Sequence, residues 1–431
     1  MTKYDRPLRL LLGVLFAGTI ALVGCGQAPP AAGPGPVATP PVVGPGPGTG
    51  IQPTPAPNPS VAPPQTPEAY HLYTVAGIGV KGEPDPGAPA LQTKLDSPTG
   101  VFQAPDGSVY VADYKAHRIR RVTPEGILEN VAGTGNPGSS GDGGLALDAE
   151  LAKPYAIVAG PESSLVFSEY GFAGNDIPGK VRMIDAQGRI HRIAGGGELD
   201  VVDGVPARDA ILKGPQGLVY DAEGNLYISE YAGHRVVRVD AQTETITVVA
   251  GTGETGNSGD GGPATQAKLA TPNWLAFDKA GRLIIVDTEN NNLRAVDLKT
   301  GVISTVAGTG KATNDPKVFG YYPSPFGDTP LGDGGAATEA TLNGPTTVAV
   351  DAVGNLLVTD TQNYAIRRID TKGVITTVAG NWQPPDGETA VAEGTEARKV
   401  PISAPDGVTV TQRGDVYFSE YGVGKIRKLK P

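Results

Sequence analysis

Cysteine is all but missing from this sequence. Cys25 is the only one in 431 residues, so neither an intrachain disulfide nor a paired-cysteine metal site is available. Histidine is nearly as scarce. His71, His117, His191 and His234 stand apart without metal-ligand spacing, and none accompanies a cysteine or an isolated serine in a nucleophile arrangement. The apolar run Leu10 to Val23 is fourteen residues, short of the roughly 20 that a membrane span needs. Positive charge is also in deficit. From Ala69 onward 32 basic side chains face 43 acidic ones, a net −11, which argues against nucleic acid and against adsorption to anionic lipid. That balance favours cationic or neutral partners. No phosphate loop or nucleotide fingerprint is present.

What is there begins with an export pattern. Lys3, Arg6 and Arg9 precede the apolar run, which ends in Leu22-Val23-Gly24-Cys25, as in a signal peptide. The last four residues are similar to the lipobox of bacterial lipoproteins. That resemblance implies cleavage after residue 24, lipidation of Cys25 and a membrane anchor; Gly26 in place of aspartate points to the outer membrane or cell surface. Residues 25–68 read as a tether, with fifteen prolines and no charge before Glu68. Such composition cannot bury a core and favours extended, solvated backbone. The folded head is expected over residues 69–431.

The head is built from one repeated unit. Ser97–Gly133 holds four short β-type runs separated by turn residues such as Asp106-Gly107 and Glu125-Gly126. Six units open at Pro98, Pro154, Pro215, Pro272, Pro345 and Pro405, and fifteen residues after each proline stands an acid: Asp113, Glu169, Glu230, Asp287, Asp360 and Glu420. The sixth unit ends before a fourth strand, while residues 70–76 form a strand without the three that should precede it. The spacing predicts an all-β, six-bladed β-propeller of four-stranded antiparallel blades, closed when the N-terminal strand completes the C-terminal blade. The connector between blades carries Asp142, Asp203, Asp260, Asp333 or Glu393 twelve residues before the proline, and Leu95, Leu151, Leu212, Leu269, Leu342 or Ile402 three before it. A helical turn seating that apolar side chain, with the Asp-Gly as turn or cap, is the local expectation.

The strings Asp-Gly-Ser-Val-Tyr-Val-Ala-Asp and His-Arg-Ile-Arg-Arg-Val in the first unit, and Glu-Gly-Asn-Leu-Tyr-Ile-Ser-Glu in the third, resemble the NHL repeat. The resemblance covers the whole head. It implies the propeller fold but leaves function open, since NHL-like and related six-bladed propellers include scaffolds, ligand-binding modules, lactonases and lyases.

Candidate sites cluster on the face where the second strands end. The six acids form either a carboxylate ring for a cation or a structural set. Arginine seven residues later in four blades (Arg120, Arg294, Arg367, Arg427), and Arg182 in the second, points to the structural reading. Glu230, whose blade has Val237 there, and Glu169, whose hairpin is lengthened, are the metal candidates if the acids hold one. No cofactor is expected. Calcium is the cation to test, although one carboxylate per connector is thin for an ion that takes about 6–8 oxygens. Tyr114, Tyr170, Tyr231 and Tyr421 follow the acid in four blades, and Trp274 breaks the repeat; aromatics at a channel mouth either stack on a ligand or pack between blades. Phe319, Tyr321, Tyr322 and Phe326 occupy an insertion at residues 311–332, a second recognition candidate. The reading is a monomeric binding or scaffold module for a protein, peptide or glycan, with no covalent chemistry required. The alternative is a gluconolactonase-like metal-dependent hydrolase or lyase using mouth carboxylates.

Overall fold

Turn chemistry cuts each unit into four strands. In the first blade Gly107 and Gly126 take left-handed backbone, φ 93° and 81°, a conformation that costs glycine nothing. They separate Pro98–Gln103, Val109–Asp113, Arg118–Val122 and Leu128–Ala132, which pair antiparallel in chain order. The computed structural model describes residues 69–83, 87–171, 177–310, 332–383 and 391–431. Among these, five further sheets follow the same plan, opening at Pro154–Ala159, Pro215–Tyr220, Pro272–Phe277, Pro345–Val350 and Pro405–Val410. Inner strands of successive blades touch all the way round, the sixth against the first. The fold is a six-bladed β-propeller.

The ring closes as the sequence requires. His71–Ala76 lies antiparallel against Lys425–Lys430, pairing Leu72 with Leu429 and Thr74 with Arg427. Its outer edge is covered in turn by Thr395–Glu396. An isolated bridge does the same for each other blade: Pro89 to Ile127, Leu145 to Arg189, Pro206 to Thr245, Pro263 to Val302 and Ala336 to Val374. Each connector therefore runs along the outside of the blade it is about to enter and covers part of its outer edge. It then crosses to the centre through a 3-10 turn whose first alanine is buried, as in Ala146–Asp148 and Ala264–Gln266. The six connector side chains, Leu95 through Ile402, are all at most 2% exposed. Burial at that level stabilises by about 1.5–3 kcal/mol for each aliphatic side chain.

Hydroxyl groups bind blade to blade around the channel. Ser168 Oγ accepts from Ala156 N at 3.0 Å and donates to Gln216 O of the next blade at 2.6 Å. Ser229, Thr359 and Ser419 repeat this to Asn273 O, Asp406 O and Thr99 O. Where the same position holds Ala112 or Val286, a different threonine substitutes: Thr99 Oγ1 donates to Tyr155 O at 2.9 Å, and Thr288 Oγ1 to Pro345 O at 2.8 Å. The inner strands approach so closely that a Cβ on Gly100 would lie 2.5 Å from Tyr155 O. Gly217 and Gly407 meet the neighbouring backbone as closely, so glycine is a packing requirement at these three positions.

Candidate binding face and channel

The six acids are structural anchors. Each is buried, and each accepts the backbone N–H seventeen residues earlier: Asp96 to Asp113, Ala152 to Glu169, Lys213 to Glu230, Ala270 to Asp287, Asn343 to Asp360 and Ser403 to Glu420, all at 2.6–2.7 Å. The next residue, just before the opening proline, has positive φ in every blade: Ser97, Lys153, Gly214, Thr271, Gly344 and Ala404. Four of these are not glycine, at a cost of about 1–3 kcal/mol each. The carboxylate holds the chain in that turn and so sets where each inner strand begins. Burial pushes Asp113 and Asp287 up to about 6, against the opposing pull of their arginine and hydrogen-bond partners.

The arginines complete the set. Arg120 lies 3.2 Å from Asp113, Arg182 3.4 Å from Glu169, Arg294 3.6 Å from Asp287, Arg367 3.2 Å from Asp360 and Arg427 3.1 Å from Glu420. The second side of the guanidinium meets the connector acid, as with Asp142 on Arg182, Asp260 on Arg294 and Asp333 on Arg367. Those acids also accept a fourth-strand N–H, from Thr305 at 3.1 Å and Thr377 at 2.8 Å. The connector Asp-Gly is therefore more than a turn or cap. In blades two, four and five it supplies the second carboxylate of an acid–arginine–acid chain.

Blade three corrects the expectation that Glu230 lacks an arginine. With Val237 at the usual position, Arg235 two residues earlier reaches back and donates from Nε to Glu230 Oε2, while Glu230 Oε1 keeps the Lys213 N–H. Glu169 is likewise held by Arg182 and Ala152. Both metal candidates are thus held by arginine and backbone partners.

The tyrosines do form a surface. Tyr421, Tyr114, Tyr170 and Tyr231 are part-exposed on the consecutive blades six, one, two and three. Tyr114 and Tyr421 have ring centroids 6.4 Å apart, and Tyr170 and Tyr231 6.1 Å. Lys153 Nζ bridges the gap, 5.8 Å from the Tyr114 ring and 5.7 Å from that of Tyr170. Lys81 lies over Tyr421 at 4.7 Å. Blades four and five carry Thr288 and Thr361 instead, so this repeat position is aromatic in four of the six blades.

Beneath it the channel is filled. Trp274, expected as a ligand contact, is 6% exposed and lies within the main apolar cluster. Its counterparts are Gly100, Ala156, Gly217, Thr347 and Gly407, and the space they leave accommodates one indole. Tyr155, from a position the sequence reading passed over, packs 6.0 Å from Tyr114 and 6.5 Å from Trp274. Its hydroxyl donates to Asp406 Oδ1 at 3.2 Å and receives Asn273 Nδ2 at 3.3 Å, joining blades two, four and six. The residue after each opening proline is polar in all blades (Thr99, Tyr155, Gln216, Asn273, Thr346, Asp406), and that regularity was visible in the sequence. Asp406 is fully buried, and loss of solvent pushes its carboxyl up to about 7 despite hydrogen bonds from Tyr155 and Thr346. Gln216 Oε1 and Asn273 Oδ1 have no partner there.

Comparison with known proteins agrees with this geometry. A family profile described as the teneurin NHL domain matches residues 144–320 and 317–384, more than half of the chain. The chain belongs to this NHL domain family. It is 28% identical over 280 residues to human NHL repeat-containing protein 2, covering 56% of this chain and 36% of that one. Human Teneurin-1 is 24% identical over 365 residues, covering 79% of this chain and 12% of Teneurin-1. The chain thus spans only a minor part of these relatives. Among solved structures, an auxiliary nutrient binding protein from Bacteroides thetaiotaomicron superposes with a TM-score of 0.57 at 16% identity, covering 84% of this chain and 76% of that one; at that identity the likeness concerns the fold.

Two further details belong to this NHL domain. His117 and His234 occupy left-handed hairpin positions, φ 53° and 51°. Their Nδ1 atoms accept the N–H of Lys153 and Thr271, the pre-proline residues of the next blade, at 3.2 Å each. Asn291 Oδ1 does the same for Gly344 at 2.7 Å. A cavity of about 260 Å³ lies between the outer strands of blades three and four, lined by Tyr227, Arg238, Val248, Val296 and Leu298. Cys25, the tether, and Phe319, Tyr321, Tyr322 and Phe326 lie outside the described residues.

Proposed function

We propose that this chain is an extracytoplasmic, lipid-anchored binding module whose mouth face takes up a protein, peptide or glycan. One observation carries the reading: a crescent of four part-exposed tyrosines on consecutive blades, at a repeat position that blades four and five fill with threonine. The blade is built without the ring, so the ring serves something other than the fold. The acids around it are committed to arginine and backbone partners, which leaves recognition to aromatic and cationic side chains. The anchor rests on residues 1–25 alone, through the lipobox-like ending at Cys25.

Glycan and peptide arrays probed with the full chain and with a Tyr114→Ala, Tyr170→Ala variant test the reading. Ligands that bind the parent and are lost by the variant support it; no array member that distinguishes the two would sink it. For the anchor, Cys25→Ser should move the protein from the membrane fraction to the soluble one. Unchanged partition would refute lipidation.

A further inference from the structure

The crescent is threaded with ammonium groups. Lys153 stands between the Tyr114 and Tyr170 rings, and Lys81 lies over Tyr421. Lys115 follows Tyr114 and is exposed; burial and the like charge of Lys115 both lower the pKa of Lys81. Lys213 is exposed on the turn against which Tyr170 packs, since a Cβ on Gly214 would sit 2.8 Å from the Tyr170 ring. The backbone ties the same groups together, with Tyr170 N donating to Lys153 O and Ala232 N to Lys213 O, both at 3.1 Å.

Among the described residues, several acids near this arc are already engaged. Asp113, Glu169, Glu230 and Glu420 are buried and paired with arginine. Glu83 serves Arg118 and Arg120. Among the described residues, Asp96 lies near Lys81 and Glu289 near Tyr231. Within a molecule of net charge −10, four lysines thus stand along the tyrosine arc.

We propose that the crescent binds an anionic polysaccharide, with tyrosine rings stacked on sugar rings and Lys81, Lys115, Lys153 and Lys213 paired with carboxylate or sulfate groups. The proposal rests on the mouth-face binding reading and names its ligand class. Two arguments favour sugar over peptide. The tyrosines stand on the turns after the second strands, away from any outer strand that a peptide could extend. Lysine also offers point charges without the planar fork of arginine, which suits anionic groups spaced along a flexible chain. The cation–π contacts hold the ammonium groups over the rings before the ligand arrives, which lowers the ordering cost of binding.

The test is calorimetric titration of the full chain with polygalacturonate, dextran sulfate, neutral dextran and poly-L-glutamate. Saturable binding to polygalacturonate or dextran sulfate, weakening as salt rises, is expected; which of the two binds separates carboxylate from sulfate recognition. Lys81→Ala with Lys153→Ala should weaken it about tenfold, Tyr170→Ala should weaken it too, and Lys153→Arg should largely retain it. An unchanged thermal melt confirms that the variants fold. Equal binding of neutral dextran, tighter binding of poly-L-glutamate, or no binding of either anionic sugar overturns the proposal. Tyrosine-dependent array ligands would, in that case, leave the binding-module reading standing.

Discussion

Asp406→Asn should stabilise this protein, and more so as pH rises. Asp406 is fully buried with no cationic partner, and its carboxyl is pushed from 3.8 to about 7 by loss of solvent. A raised carboxyl pKa contributes stability that is complete below 3.8 and lost as pH climbs towards 7, because the unfolded chain releases its proton first. At about 1.36 kcal/mol per pKa unit, the shift amounts to about 4 kcal/mol at pH 8. Asparagine preserves the shape, has no proton to lose, and keeps an oxygen for the Tyr155 hydroxyl. Thermal melts of parent and variant from pH 4 to pH 8 supply the measurement. The variant's advantage should grow between pH 4 and pH 7 and then level off. A variant that melts lower than the parent at pH 8, or a gap that ignores pH, would refute the reasoning. It would mean that the carboxylate is ionised in the fold and held by a cation in the channel.

Other perturbations probe the remaining devices. Arg294→Val leaves Asp287 and Asp260 facing each other without their shared cation and should cost about 3–5 kcal/mol; adding Asn292→Arg, which copies the Arg235 arrangement of blade three, should recover much of the loss in melting temperature. The His117 latch acts in the opposite pH sense to Asp406. Burial and Lys153 lower the pKa of His117 from 6.5, so its contribution is present above 6.5 and is lost as pH falls below that value. Replacing His117 with asparagine, as at Asn291, should flatten the melt over that range, and an unchanged profile would count against the latch. Ser229→Ala strands Gly217 N and Asn273 O and should cost about 1–3 kcal/mol in chemical denaturation. Deleting residues through Ala76 uncovers the edge of Lys425–Lys430, and light scattering should then report association; a monomer with the parent's melt would contradict the ring closure.

The fold was legible because a propeller writes itself into spacing. Proline, acid and connector leucine recur at set intervals, since each blade must present the same contacts to its neighbours. The unmatched strand at residues 70–76 and the truncated sixth unit named each other as partners. The arginine pairing of most acids was readable for the same reason, being a local register across one hairpin. Glu230 was misread because the substitute, Arg235, sits off the repeat, where only side-chain reach decides what it meets. Trp274 was misplaced for a related reason: an irregular aromatic marks a difference in available space, and sequence does not say whether that space opens to solvent.

By itself, then, the sequence determined the number of blades, their order, the closure and the side on which the acids stand. These follow from chain length, turn chemistry and pairing, all of which act between residues close in sequence or repeated at fixed distance. Only the tertiary structure decided what those residues do together. It placed Tyr155 across the channel against Asp406, 251 positions away. It also brought Lys153 between two tyrosines of different blades and set four lysines along one arc of an acidic molecule. Burial, countercharge and reach are set by what folds in from elsewhere, and no repeat period records them.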